Sequence, residues 1–189
     1  MDATPALVVI DLQKGLQSVE GKPHTVAEVV SRTAELATAF RDRDFPVVLV
    51  NVAGGPPGRT EPRPPAAAPS GATAPAAPPA NPAELIDELG AQESDHRITK
   101  KQWGAFHNTE LHGLLQDLGV TQVFVAGIAT SAGVESTARS AHDLGYNVVV
   151  ATDAMTDRDP AVHANSVERI FPKLAETATA AEILDKLSE

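Results

Sequence analysis

The chain contains no cysteine. That excludes disulfides, thiolate metal sites and any mechanism that runs through a thiolate nucleophile. Aromatic residues are scarce at 4%, so Val, Ile, Leu and Ala must fill the interior. Positive charge is also short. Fifteen Lys and Arg against 25 Asp and Glu leave a net charge of -10, which argues against a nucleic acid or an anionic membrane as partner. No apolar run approaches the roughly 20 residues that span a bilayer. The N-terminus, Met1-Asp2-Ala3-Thr4-Pro5, lacks the basic region and long apolar core of a secretory signal. The expectation is a cytoplasmic protein folded as one domain over 1–189, with a small molecule as its partner.

What is present is an alternation of two patterns. Largely apolar runs at 6–10 and 46–52, with shorter ones near 97–100, 121–127, 146–151 and 177–179, read as strands. The longer runs have the character of strands buried on both faces. Between them, apolar residues recur at helical spacing over about 25–43, 108–118, 131–144, 160–170 and 180–187. Gly119 and Gly145 suit C-terminal stops, and Pro160 suits a first helical turn. Strands alternating with helices imply an α/β fold, with a parallel sheet between two layers of helices. The stretch from about 53 to 82 breaks the pattern. It holds most of the chain's 15 prolines amid Ala and Gly, and reads either as a surface loop or as a lid.

Three stretches with chemical potential fall at or just past strand C-termini, where parallel sheets bind ligands. Asp11 ends the first strand. It fits a partly desolvated carboxylate able to carry a proton, and equally a cap on the following turn. Lys100, followed by Lys101, ends the third. One of the two can face the crevice while the other faces solvent; a solvated pair on a loop is the alternative. Gly127-Ile128-Ala129-Thr130-Ser131 joins a strand to a helix start, where backbone N–H groups can hold an anion. Ser131 is read there as an N-cap, since no activating base and no Gly-x-Ser-x-Gly elbow accompanies it. Trp103 and Phe106 suit either a pocket wall or core packing. The six histidines form no zinc signature and read as dispersed surface or boundary residues; His107 and His112 are spaced wrongly for a helical His-x-x-x-His pair.

In order and spacing, several segments resemble the isochorismatase-like hydrolase superfamily. They are Ala6-Leu7-Val8-Val9-Ile10-Asp11-Leu12-Gln13, then Thr99-Lys100-Lys101-Gln102-Trp103-Gly104-Ala105-Phe106, then Val125 through Arg139, and Gly145 through Asp157. The resemblance covers nearly the whole chain except the Pro/Ala-rich stretch. It implies a three-layer α-β-α sandwich around a six-stranded parallel sheet, Rossmann-like, and a homo-oligomer, dimer or tetramer. It implies a non-proline cis peptide near Ile128-Ala129. It implies an Asp-Lys-Cys triad at Asp11, Lys100 and the position held here by Gly133. Gln13, Trp103, Phe106, Ile128, Ala129 and Thr130 are the substrate-binding positions expected on this basis.

Family members with the cysteine hydrolyse amides and carbamoyl amines covalently. Isochorismatases carry glycine in its place and hydrolyse a vinyl ether, the aspartate protonating carbon before water attacks. By that likeness Asp11 is the general acid, Lys100 its electrostatic partner, and the substrate small and anionic. Two departures from isochorismatases, a missing arginine in 101–104 and Ala129 in place of tyrosine, remove groups suited to a dicarboxylate. The zinc-binding Asp-x-His of nicotinamidase relatives is replaced by Asn51-Val52-Ala53, so neither metal nor cofactor is expected. The competing reading is a catalytically silent member that binds a small molecule or a protein.

Overall fold

In the computed structural model, which describes residues 1–55 and 79–189, six parallel strands form one sheet. They are β1 (Pro5–Ile10), β2 (Val47–Val52), β3 (His96–Lys100), β4 (Gln122–Ile128), β5 (Asn147–Thr156) and β6 (Glu176–Ala178). Their order across the sheet is β3-β2-β1-β4-β5-β6. The order reverses between β1 and β4, which places a crevice beyond their carboxyl ends. The central part of the Pro/Ala-rich stretch, 56–78, lies outside the described residues.

The sheet is sandwiched because its strands are apolar on both faces. Along β1 the side chains divide by parity. Leu7 and Val9 pack with α1 (Val26–Arg41) and α5 (Ala180–Ser188), through Val29, Leu36, Phe40 and Ile183. Ala6, Val8 and Ile10 pack on the opposite face with α2 (Leu111–Asp117) and α3 (Glu135–Asp143), through Leu111, Leu115, Ala138 and Ala141. This is the three-layer α-β-α sandwich expected from the sequence.

Local chemistry sets the helix ends. Thr25 and Glu28 form a reciprocal capping box on α1, and Thr179 and Glu182 form another on α5. Asp159 caps α4 (Pro160–Asn165), with Pro160 in its first turn. Gly145 adopts φ +88 after α3, where its N–H donates to the carbonyl of His142.

Three elements depart from the sequence reading. Strand β5 continues past Ala151 to Thr156, with an irregularity in its pairing to β4 between Val125 and Gly127. The polar Thr152-Asp153 pair hid that continuation. Asp153 is accommodated because one carboxylate oxygen accepts from the Ala180 N–H and the other lies 3.7 Å from Arg32. Helix α2 begins at Leu111 rather than 108, since Asn108 sits in the left-handed region at φ 53. The helix expected from 131 is preceded by a wide turn, Thr130–Val134, in which Val134 N–H donates to Ala129 five residues back. Such wide turns recur at functional sites.

One ion pair ties α1 to the start of β3. Arg41 donates twice to Asp95, each bond 2.8 Å, with the Asp95 side chain 1% exposed. Arg41→Met should therefore cost about 3–5 kcal/mol, because it leaves a buried carboxylate without its cation. Urea unfolding measures the loss; a change near zero would mean that water replaces the arginine.

Candidate active site

The carboxyl ends of five strands frame a cavity of about 310 Å³. Its lining includes Asp11 after β1, Val52 at the end of β2, and Lys100 with Trp103 at and after β3. Ile128, Ala129 and Gly133 follow from β4, and Asp157 and Arg158 from β5. A larger groove of about 800 Å³ runs along α1 but contains neither Asp11 nor Lys100.

The central contact is buried. Lys100 donates to Asp11 Oδ2 at 2.6 Å and to the carbonyl of Gln102 at 3.1 Å, and the two side chains are 2% and 8% exposed. Asp11 Oδ1 is buried with no hydrogen-bond partner among the described residues. Asp11 also holds a left-handed backbone, φ 52, fixed by its N–H to Val50 and by the Gln13 N–H to its carbonyl. Non-glycine residues in that region concentrate at functional sites.

Burial pushes the Asp11 carboxyl up to about 6, against the charge and hydrogen bond of Lys100, which pull it down. The folded chain thus holds this proton more tightly than the unfolded chain does. The resulting stability is complete below about pH 3.8 and is lost as pH rises through about 6.

Gly133 lies against this pair. A Cβ built there would stand 2.8 Å from Ile10 Cγ2 and 3.2 Å from both Asp11 Oδ2 and the Ile128 carbonyl. Gly127, at φ +120, leaves no room for a side chain against the Ile10 carbonyl, so β4 can run close beside β1. The Ile128–Ala129 peptide is cis.

Six of the nine residues named from the sequence converge on the cavity: Asp11, Lys100, Gly133, Trp103, Ile128 and Ala129. Three are placed outside its lining. Gln13 is a brace: its amide accepts from Val52 N–H and donates to the carbonyls of Val52 and Pro82, clamping the two ends of the Pro/Ala-rich stretch. Phe106 stacks on Tyr146 at 5.8 Å and joins the α2–α3 face of the core. Thr130 is fully buried, its hydroxyl 2.8 Å from His163 Nδ1. His163, read from the sequence as a surface or boundary residue, is itself buried, and burial holds its pKa down.

Asp157 received no role from the sequence. Its Oδ2 accepts from both the N–H and the hydroxyl of Ser131, and its Oδ1 from the Arg158 N–H. Ser131 is therefore a donor to Asp157 rather than a helix cap. Asp157 is hidden in the sequence because the apolar run stops at 151, whereas β5 runs to Thr156 and the aspartate follows directly on it.

Fold and site together describe an α/β protein with a buried aspartate–lysine pair at the switch point of a parallel sheet. The family model "Isochorismatase domain" matches residues 5–182. The isochorismatase family protein YecD of Escherichia coli O157:H7 is 42% identical over 192 residues, covering 97% of this chain and 96% of YecD. YwoC of Bacillus subtilis, of the same family, is 37% identical over 96% of this chain and 93% of its own. The solved structure of an isochorismatase family protein from Burkholderia thailandensis superposes with a TM-score of 0.87 at 38% identity, covering 100% of this chain and 98% of that one. This chain belongs to the isochorismatase family of hydrolases.

Two variants probe the geometry. In Lys100→Met the attraction that lowers Asp11 is gone, so its titration midpoint, read by carboxyl 13C NMR, should move above about 6; an unmoved midpoint would mean that the ammonium exerts no pull. Gly133→Ala should cost about 1–3 kcal/mol by overpacking against the Ile10 methyl, measured by chemical denaturation. Undiminished stability would show that Ile10 moves aside freely.

Proposed function

We propose that the protein hydrolyses a small anionic substrate without a covalent intermediate and without a metal, with Asp11 as general acid and Lys100 as its electrostatic partner. One observation carries the reading. Asp11 holds a raised pKa although an ammonium touches Oδ2, and Oδ1 is left buried and unpartnered. A carboxyl of that kind can carry a proton near neutral pH and deliver it from the free oxygen. Glycine at 133 and the absence of cysteine leave no thiol to compete with water.

On a vinyl ether the steps balance as follows. The Asp11 proton forms a bond to the terminal alkene carbon, using the π electrons, and leaves an oxocarbenium ion. Water adds to the cationic carbon and returns a proton to the Asp11 carboxylate. The hemiketal then separates into a ketone and an alcohol. Lys100 holds Asp11 in place and stabilises the carboxylate once its proton has left. At the position of the nicotinamidase zinc ligands, Asn51 is engaged with Ala83 and Thr99, and Val52 and Ala53 offer no ligating side chain.

The test is a turnover screen with vinyl ethers, amides and carbamoyl amines, run beside Asp11→Asn. Vinyl-ether hydrolysis should fall by about 10²-fold or more in the variant, the scale of general acid catalysis. The wild-type kcat/KM should decline as pH rises through about 6, where the free enzyme's acid loses its proton. Activity that survives Asp11→Asn would refute the acid role. Silence of the wild type on all three classes would favour the binding-module alternative.

A further inference from the structure

Charge at the cavity is unevenly used. Lys100 is engaged by Asp11 at 2.6 Å. Asp157 spends both oxygens on hydrogen bonds within the protein. Lys101 and Arg158 also line the cavity, and both are exposed. Among the described residues neither takes part in an ion pair. A chain with net charge -10 thus holds two cations outside any described ion pair at the mouth of this one cavity, against the single carboxylate of Asp157. Such an arrangement raises the local concentration of anions. The planar guanidinium of arginine matches a carboxylate bidentately. The Arg158 main chain is fixed there, its backbone N–H donating to Asp157 Oδ1 at 2.8 Å.

Beside the two cations stands Trp103, 63% exposed and the most exposed of the large apolar side chains among the described residues. A flat apolar face next to two free cations is complementary to a flat apolar group carrying negative charge. We propose that Arg158, Lys101 and Trp103 form a recognition site for a small planar carboxylate, the two cations taking the carboxylate and the indole the flat body. The inference rests on the reading of this cavity as the substrate pocket, and is independent of Asp11 acting as the acid.

Trp103 is the chain's single tryptophan, so the site reports on itself. Its emission is titrated with benzoate and with benzamide, a neutral compound of nearly the same shape. Benzoate should give a saturable change, and benzamide should bind about tenfold more weakly or worse, as expected when a charged recognition partner is lost. Arg158→Gln and Lys101→Gln should each weaken benzoate, leave benzamide unaffected and leave the melting temperature unchanged. Equal binding of the two compounds overturns the proposal. So do benzoate binding that ignores Arg158→Gln, the absence of a saturable response, and a Trp103 signal that follows protein concentration alone. The readout is binding rather than turnover, so its failure is distinguishable from failure of the Asp11 experiment.

Discussion

Lys100 and Asp11 meet across the full width of a strand. Their strands, β3 and β1, are separated by β2, so the two backbones lie about 9–10 Å apart, two interstrand spacings. A short cationic group could not bridge that gap. A lysine can, and the pair closes at 2.6 Å with both side chains buried. Two opposing effects then act on the carboxyl. The ammonium favours its charged form and the dry surroundings disfavour it; the second effect is larger, which is why the carboxyl titrates near 6. A more open crevice would let Asp11 behave as an ordinary surface carboxylate. Removing the lysine would raise the Asp11 pKa further. The useful range depends on keeping both.

The scaffold maintains that balance from several directions. The Ile10 methyl and the Ile128 carbonyl lie at 2.8 and 3.2 Å from where a Cβ on Gly133 would stand. Beside Asp11, Gly133 is therefore packed against main chain and an aliphatic group. Asp157 ties the Ser131 end of the turn to the end of β5, while Thr137 bonds the Gly133 carbonyl at 2.6 Å and accepts from Ala105 N–H. The turn that carries Gly133 is thus held from both of its ends.

How much of this could be read from the sequence follows from the kind of signal each feature leaves. Buried parallel strands are long apolar runs, so β1, β2 and β4 were legible together with the layering of the fold. Asp11 and Lys100 were legible because a charged residue ending such a run is conspicuous. Gln13, Phe106 and Thr130 were named from likeness to the family, and their positions depend on tertiary detail. Gln13 braces the backbone at Val52 and Pro82, residues 39 and 69 positions away. Thr130 meets His163 from a helix 33 positions on. Neither partner can be inferred from local pattern. Asp157 lay hidden in the continuation of β5, where polar residues interrupt the apolar run.

The missing thiol changes what the remaining pair must do. In covalent catalysis the attacking atom belongs to the protein, and the neighbouring carboxylate serves it by accepting a proton. In the chemistry proposed here water attacks, so activation must come from making the substrate more electrophilic, and the carboxyl must begin protonated. Those demands favour opposite environments. A base works best ionised, which solvent or close positive charge provides. An acid works best neutral, which burial provides. With Lys100 occupying Oδ2 and Oδ1 buried without a partner, Asp11 presents a single oxygen on which a proton is free to move. Burial is what keeps the proton there, so the depth of the pocket, as much as the identity of its residues, selects acid over base chemistry.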